Sequence, residues 1–275
     1  MPVNNSPLRY PGGKSQLAPY VIELLRANNL FGGVYAEPFA GGAGIAWRLL
    51  FDSYASEVWI NDIDPSIYSF WNAVLNHADD LCELIETSPV TMDEWRKQKE
   101  LQSSSRNGSL ALGFSTFFLN RTNRSGILKA GVIGGQAQAG DWKLDCRFNR
   151  ADLIEKIQRI AIYKDQINLT CIDAYRYLTE QCKRLPKVSL LNIDPPYYKK
   201  GPGLYCSFYE HADHVALSKV IRRLKHPWML TYDDAEEIRK LYDGLPMSQQ
   251  LLTYYAQVKR TGVELMVTAP SLNVP

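Results

Sequence analysis

The sequence of 275 residues lacks several features that define specialised protein classes. No stretch approaches 18 uncharged apolar residues, which argues against a membrane span. The first 17 residues have no apolar core of the kind that a secretory signal needs. The five cysteines form no C-x-x-C pair, so we expect reduced thiols and neither a disulfide framework nor a zinc site. Together these absences predict a cytoplasmic protein.

An excess of charge of one sign is also missing. The chain has 31 basic and 29 acidic residues and a formal net charge of +2. This total neither requires nor excludes nucleic acid, because binding depends on where the basic side chains lie. The hydrophobic content of 45% is ordinary for a globular protein, and the length predicts one large or two modest domains.

The spacing of apolar residues alternates between strand and helix patterns in two regions. Strands at residues 34–37 and 57–62 flank a helix at 44–51, and such a βαβ unit pairs its strands in parallel. The alternation resumes at Arg150 and predicts strands at 167–171, 188–193 and 228–232. Residues 251–258 and 263–268, joined around Gly262, predict a closing hairpin.

The stretch between these regions differs from them, because it is mostly helical in pattern and rich in polar residues. We therefore predict an α/β fold with a doubly wound, Rossmann-like sheet, a C-terminal antiparallel hairpin and an inserted, mainly helical module. The predicted boundaries place the first part of the α/β domain at 1–68, the inserted module at 69–148, and the second part at 149–275.

The most informative motif is Asp194-Pro195-Pro196-Tyr197. It follows the apolar strand 188–193, and ligands of open α/β sheets bind beyond the carboxyl ends of strands. The two prolines fix two φ angles and remove two N–H donors, which leaves the Asp194 carboxylate and the Pro195 carbonyl as acceptors beside an aromatic ring. Such acceptors can hold both hydrogens of the exocyclic amine of adenine and stabilise positive charge that develops on its nitrogen.

A second motif lies at residues 37–44, where glycines let the backbone approach a ligand at the start of a helix. A dinucleotide fingerprint G-x-G-x-x-G would use Gly42 and Gly44, but Trp47 occupies the third glycine position, which weakens a nicotinamide interpretation. Asp62 ends the next strand, 18 residues after Gly44, where a carboxylate commonly binds ribose hydroxyls. A salt bridge or helix cap is the alternative role for Asp62.

Two further patterns argue against other chemistries. Residues 10–15 imitate the end of a phosphate-binding loop, but the full pattern needs glycine where Leu8 stands, which excludes nucleoside triphosphate binding. Lys14 within this segment is a cation suited to a carboxylate. His211 and His214 are spaced as a metal pair, but no third or fourth ligand is evident, so we expect no metal.

Taken together, these segments resemble the Dam-like adenine-specific DNA methyltransferases of the alpha group. The shared order is an N-terminal G-G-K segment, an F-x-G-G loop, a ribose-binding acid, a target-recognition module and D-P-P-Y. The resemblance covers residues 8–17, 35–64, 111–128, 167–178 and 190–209. It implies a Rossmann-like methyltransferase domain, with S-adenosylmethionine as cofactor and adenine in double-stranded DNA as substrate.

The resemblance also implies roles for individual residues. The catalytic group comprises Asp194, Pro195, Pro196 and Tyr197. The cofactor-binding group comprises Tyr10, Lys14, Glu37, Pro38, Phe39, Gly41, Gly42, Asp62, Asp173 and Asp194. For Asp173, capping of the helix that follows is an alternative role.

A base inside a duplex cannot reach Asp194, so this interpretation requires base flipping. Asparagine, arginine and lysine side chains can read bases or contact phosphates, and the predicted DNA-binding group comprises Asn120, Arg121, Asn123, Arg124, Lys129, Lys199 and Lys200. Arg124, Ser125 and Lys129 stand where GATC-specific relatives have an aromatic-Asn pair and an arginine, which leaves the recognition sequence open. We expect a monomer, with a cognate restriction enzyme as a possible partner.

Two alternatives remain open from the sequence. The acceptor could be another amine or amide, namely cytosine in DNA, adenine in RNA or glutamine in protein. The chain could also be a DNA-binding relative that has lost turnover.

Overall fold

The computed structural model describes residues 5–9, 14–199, 209–255 and 259–275, and only the backbone of 252–255 and 259–261. Two of the predicted site residues, Tyr10 and Lys200, lie outside the described residues. The chain divides into two compact units. The first contains Lys14–Ile63 and Gln166–Pro275, and the second contains Asp64–Asp165 together with residues 5–9.

All strands of the described chain belong to one sheet in the first unit. They are β1 (Gly33–Glu37), β2 (Ala55–Asn61), β3 (Ile167–Thr170), β4 (Ser189–Ile193), β5 (Trp228–Asp233), β6 (Met247–Tyr255) and β7 (Lys259–Thr268). Their order across the sheet is β3-β2-β1-β4-β5-β7-β6. Strands β1 to β5 pair in parallel, whereas β7 runs antiparallel to both β5 and β6.

The strand order places a switch point between β1 and β4. From β1 the chain continues outward to β2, whereas the strand on the other side of β1 is β4. In doubly wound sheets the connections diverge at such a point and open a crevice at the carboxyl ends of the strands. The predicted α/β class, the doubly wound sheet and the C-terminal antiparallel hairpin are thereby confirmed.

The helices of the described chain surround the sheet or form the second unit. They are α1 (Ala18–Ala27), α2 (Gly44–Phe51), α3 (Pro65–Asn76), α4 (Ala78–Thr87), α5 (Met92–Ser104), α6 (Leu110–Thr122), α7 (Arg150–Ile162), α8 (Ala174–Glu180), α9 (His211–Ile221) and α10 (Glu236–Leu241). Short 3-10 turns occur at Ser15–Leu17, Arg124–Gly126, Lys164–Gln166 and Gln181–Arg184. None of the helices in the described ranges has the length and apolar composition needed to cross a membrane.

The second unit is built from α3 to α7 around an aromatic core. Phe117 of α6 stacks on Phe70 of α3 with centroids 5.9 Å apart and meets Phe148 edge-on at 5.5 Å. Gly113 lets α6 approach α3, since an added Cβ would lie 2.6 Å from the Ser69 carbonyl oxygen. This unit is wider than the inserted module predicted at 69–148, because α7 packs on α3 and α4 within it.

The C-terminal hairpin differs in register from the prediction around Gly262. Gly262 lies inside β7, directly opposite Leu252 of β6, and the last described rung joins Tyr255 to Lys259. Residues 256–258, between these two strands, lie outside the described residues. Glycine is typical of turns, but a strand accommodates it where its neighbours maintain the ladder.

Candidate active site

The predicted catalytic segment begins at the switch point of the sheet. Rungs pair Tyr35 with Leu190 and Ala36 with Leu191, so β1 and β4 end side by side. Glu37 is the last residue of β1, and Asp194 directly follows β4. The two acidic residues therefore lie at neighbouring strand ends, where ligands of such sheets bind.

Two donors fix one oxygen of Asp194. The Thr231 hydroxyl donates to Oδ1 over 2.8 Å, and the Lys14 ammonium forms a short ion pair with the same oxygen. Within the described part of the chain, Oδ2 accepts no hydrogen bond, and the Asp194 side chain is 27% exposed. The carboxylate is thus held in one orientation with one oxygen open to a further donor.

A buried glutamate, Glu264 of β7, completes this cluster. Its Oε1 accepts a hydrogen bond of 2.8 Å from the Tyr197 hydroxyl, and its Oε2 lies 3.4 Å from Lys14 Nζ. Lys14 also lies 5.0 Å from the centroid of the Tyr197 ring. Burial lowers the pKa of Lys14, but the two carboxylates outweigh burial and raise it, so the ammonium stays charged.

The loop after Tyr197 is attached to the end of β5. The Asp233 carboxylate accepts hydrogen bonds from the backbone N–H groups of Tyr198 and Lys199, at 2.7 and 2.9 Å. The Lys199 side chain is exposed. Asp233 and Glu264 are cross-strand partners, so one rung of the sheet anchors both Tyr197 and the residues that follow it.

Glu37 is buried beside two polar neighbours at the end of β1. The Tyr35 hydroxyl donates to its Oε1 over 2.9 Å. Burial raises the pKa of Glu37 to about 8, although hydrogen bonds from Tyr35 and Asn192 oppose the shift. Asn192 is itself buried, and its Oδ1 has no hydrogen-bond partner in the described part. Glu37 and Asn192 therefore place a carboxyl group of raised pKa beside an amide oxygen that has no donor in the described part.

We predict that Glu37 makes stability depend on pH in a defined direction. Because its folded pKa is raised above the usual 4.5, its contribution is complete below pH 4.5 and is lost as the pH rises through about 8. Between pH 5 and 9 the free energy of unfolding of the native protein should fall more than that of Glu37→Gln, by roughly a few kcal/mol. Urea unfolding without cofactor measures both, and parallel curves would refute the prediction.

The glycine motif after β1 is held in place from the end of β2. Gly41 N–H donates to Asp62 Oδ2 and Ala40 N–H donates to the Asn61 carbonyl, both over 2.9 Å. The Asn61 side chain donates to the Pro38 carbonyl over 2.9 Å. Gly41 and Ala43 both have a φ of 48°, a conformation that is strained for alanine. A non-glycine residue in that conformation often marks a functional loop.

Three other predicted cofactor residues have well-defined places. Gly42 is buried in the turn that leads into α2. Phe39 is half-buried and meets Tyr209 edge-on, with centroids 5.9 Å apart. Asp173 is exposed and caps α8, accepting from the N–H groups of Tyr175 and Arg176. Asp173 therefore performs the helix-capping role that is the alternative to cofactor binding.

His211 and His214, which have the spacing of a metal pair, each contact a tyrosine hydroxyl. His211 Nδ1 lies 3.1 Å from the hydroxyl of Tyr198, and His214 Nδ1 lies 2.8 Å from that of Tyr232. Burial lowers the pKa of His214. These rings pack beside the segment that follows the catalytic motif.

In the second unit, two predicted base-reading asparagines are buried and fully used by the fold. Asn120 accepts from Arg9 N–H and donates to the carbonyls of Arg9 and Gly126. Asn123 accepts from Trp95 Nε1 and donates to the carbonyls of Ile127 and Leu128. As placed, neither amide offers a free group to a base, and both instead shape the loop.

The basic residues of this unit are placed differently. Arg124 and Lys129 are exposed. Arg121 is half-buried and donates to the Arg147 carbonyl over 2.7 Å. Burial lowers the pKa of Arg121 to about 10, with further lowering by the charges of Arg9 and Arg147. Arg9, Arg121 and Arg147 therefore form a cluster of like charges, named here the arginine cluster.

Several site residues were not predicted from the sequence, namely Glu264, Thr231, Asp233, Asn192 and Asn61. Glu264 carried a usable signal, since it is an acid inside the apolar run 263–267. A charge at such a position is rarely buried unless it is paired. The others depend on which strands lie side by side, which the sequence does not display.

Comparisons with known proteins bear on the identity of this site. Solved structures with a similar fold include a SAM-dependent methyltransferase from Agrobacterium tumefaciens, at 9% identity and TM-score 0.42, covering 94% of this chain and 63% of that one. An rRNA methyltransferase from Streptomyces viridochromogenes gives 13% identity and TM-score 0.41, covering 94% and 86%. No curated protein sequence matches the chain significantly. At these TM-scores the solved structures decide nothing about function.

The decisive comparison is with a family model, that of the D12 class N6 adenine-specific DNA methyltransferases. It matches residues 10–259, which include the glycine loop, the arginine cluster except Arg9, and Asp194 to Tyr197. The motif order and the geometry at the switch point agree with this match. The chain therefore belongs to the D12 class of N6 adenine-specific DNA methyltransferases.

Proposed function

We propose that this methyltransferase acts at a specific double-stranded site and flips the target adenine out of the duplex onto Asp194, Pro195 and Tyr197. The observation that carries the proposal is the orientation of Asp194. Thr231 and Lys14 hold its Oδ1, and Oδ2 accepts no hydrogen bond from the described residues. The next residue, Pro195, has a carbonyl oxygen that is a further acceptor, and Pro196 after it has no N–H. A pair of acceptors at a switch point suits an amine that must lose planarity to react.

The residues at the end of β1 fit the methyl donor of this family, S-adenosylmethionine. The unpartnered Asn192 Oδ1 and the buried Glu37 suit an ammonium group, and the glycine loop lets the backbone approach closely. Lys14, Phe39 and Asp62 would hold other parts of it, as would Asp173 and Tyr10. When bound, S-adenosylmethionine supplies a methyl group on a positively charged sulfur.

The protein's own part in the reaction is to hold the acceptor amine. Asp194 Oδ2 and the Pro195 carbonyl oxygen would each accept one hydrogen of adenine N6, which favours a pyramidal nitrogen with a directed lone pair. The positive charge that develops on N6 is stabilised by the Asp194 carboxylate, and the surplus proton passes to that carboxylate or to solvent. The Tyr197 ring, whose hydroxyl is fixed on Glu264, stacks on the purine and orients it.

The alternatives left open by the sequence lose support. The family is specific for adenine in DNA, which does not favour cytosine, RNA or protein glutamine as acceptor. An inactive relative is disfavoured because the described site retains Lys14, Glu37 and the complete segment from Asp194 to Tyr197.

We place the DNA-binding surface of the second unit on the arginine cluster and on exposed Arg124 and Lys129. Burial lowers the pKa of Arg9 and of Arg121, and the nearby charge of Arg147 lowers both further, a repulsion that a phosphate would relieve. Trp142 is 68% exposed and its ring lies 5.9 Å from the Arg147 guanidinium carbon, which adds a stacking face. Lys199 and Lys200 of the first unit are proposed to contact DNA as well.

Arg147→Gln should weaken DNA binding in a salt-dependent way, because it removes one phosphate contact. The slope of log K against log salt should become shallower by about 1. Arg106→Gln, at an exposed arginine between α5 and α6, changes the charge identically and serves as control. Fluorescence anisotropy with a labelled duplex at several salt concentrations measures both, and equal slopes for the two variants would contradict the proposal.

We make three further proposals, on the location of the protein, its oligomeric state and its recognition sequence. We expect the protein to act as a cytoplasmic monomer whose recognition sequence is shared with a restriction enzyme. Single-molecule sequencing of DNA from cells with and without the gene tests site specificity. Methylated adenine confined to one short sequence is the expected result, whereas methylation scattered without a common sequence would contradict it.

A further inference from the structure

We infer that Glu264 is a positioning residue for methyl transfer, acting through Tyr197 and Lys14. This inference rests on the proposed function of Asp194 and Tyr197, and it adds a residue outside the D-P-P-Y motif. Glu264 lies on β7, far along the chain from β4, and touches the catalytic segment only because β5 and β7 pair antiparallel.

Glu264 restrains the orientation of the Tyr197 ring. A tyrosine side chain packed on one face retains freedom of tilt unless its hydroxyl is held. Here the hydroxyl donates to Glu264 Oε1 over 2.8 Å, and both residues are buried. With its distal atom tethered to a rigid sheet, the ring is held at one angle. A stacking partner for a flipped purine gains from that restraint, since misplacement of a reactant by about 1 Å can cost about 100-fold in rate.

Two carboxylates share the ammonium group of Lys14. Its Nζ contacts Asp194 Oδ1 and lies 3.4 Å from Glu264 Oε2. Without Glu264, the ammonium would have Asp194 as its remaining carboxylate partner in the cluster. It would then be free to move towards Oδ2 and compete there with the target amine. Glu264 thus keeps Lys14 on one oxygen of Asp194 and leaves the other for the substrate.

A purely structural role is the competing explanation, because a buried carboxylate can simply complete a charge cluster. The two roles differ in what they predict for an isosteric change. Glu264→Gln keeps the size of the side chain and an oxygen able to accept from Tyr197, but it removes the charge that holds Lys14. A structural role predicts a change in stability with an unchanged rate per folded molecule.

The test is a double-mutant cycle on the full-length protein. Glu264→Gln and Tyr197→Phe are measured singly and together, with Glu236→Gln at an exposed position of α10 as control. We expect Glu264→Gln to lower kcat about 30- to 100-fold with little change in the KM for DNA. Affinity for S-adenosylhomocysteine, measured by calorimetry, should stay within about threefold of the native value.

The double-mutant cycle also measures the energetic coupling between Glu264 and Tyr197. Tyr197→Phe should lower kcat in the native background and have much less effect once Glu264 is glutamine. In that variant the Tyr197 hydroxyl donates to a neutral amide oxygen, which is a weaker acceptor than a carboxylate. A duplex with 2-aminopurine at the target position should show a weaker fluorescence change on binding to Glu264→Gln, reflecting an imperfectly stacked base.

Two results would overturn the inference. One is an unchanged kcat for Glu264→Gln in a folded protein, and the other is independent, multiplicative effects of the two substitutions. Failure of the proposed function has a separate signature, since the native protein itself would then transfer no methyl group to DNA.

Discussion

Asp194→Ala is expected to lower the rate of methyl transfer to DNA by about 10³-fold while the protein remains folded. The substitution removes the acceptor proposed to bind an N6 hydrogen and to stabilise the developing positive charge. Loss of one such preorganised group costs about 10²- to 10³-fold in rate, and removal of a full charge should reach the upper end. Asp194→Asn, which keeps an acceptor but no charge, should retain more activity than the alanine variant.

The measurement is transfer of labelled methyl groups to duplex DNA at saturating cofactor. Asp243→Asn serves as the matched control, since it makes the same chemical change at an exposed position of the same unit. Thermal unfolding with and without S-adenosylhomocysteine shows whether each variant is folded and binds. Native-like transfer by a folded Asp194→Ala protein would remove the basis of the assignment.

Lys14→Met is expected to destabilise the fold by about 3–5 kcal/mol. The reason is the unequal exposure of the two carboxylates that Lys14 pairs. The Asp194 side chain is 27% exposed and can be rehydrated, but that of Glu264 is 3% exposed and would lose the ammonium 3.4 Å from its Oε2 while staying buried. The burial of Glu264 therefore requires its ion pair with Lys14, independently of any role of Lys14 in cofactor binding.

The compensating substitution distinguishes this explanation from simple loss of packing. In the Lys14→Met background, Glu264→Gln should recover most of the lost stability, because it removes the buried negative charge. Urea unfolding at neutral pH provides the free energies of the single and double variants. If the double variant is as unstable as Lys14→Met alone, the cost does not come from Glu264.

The catalytic segment could be located from the sequence because two local signals coincide there. A continuous apolar run identifies a buried parallel strand, and the two prolines end it abruptly at Asp194. The structure begins β4 at Ser189, one residue after the predicted start. The glycine loop after β1 was found for the same reason, since a short strand and its turn are encoded by adjacent residues.

Contacts made by distant strands could not be predicted. Thr231 and Glu264 reach the catalytic segment through the neighbours β5 and β7, and the register of that pair is set by the whole sheet. The hairpin shows the same limit, because a glycine at 262 suggested a turn where the ladder continues.

The asparagines of the second unit illustrate a different limit. Asn120 and Asn123 have side chains that suit base recognition, but the same groups suit backbone recognition equally well. Gly126, with a φ of 76°, brings its backbone so close to the Arg9 carbonyl that an added Cβ would lie 2.3 Å away. The side-chain amides of Asn120 and Asn123 form hydrogen bonds with backbone groups of this closely packed segment. Composition alone does not reveal such bonds.

The central claim is that the site around Asp194 methylates the exocyclic amine of adenine in DNA. The most direct test incubates the purified protein with duplex DNA and methyl-labelled S-adenosylmethionine, digests the DNA and separates the nucleosides. The account predicts that the label appears in N6-methyladenine and is absent with Asp194→Ala. Label in a methylated cytosine, or in RNA or protein offered alongside the DNA, would contradict it.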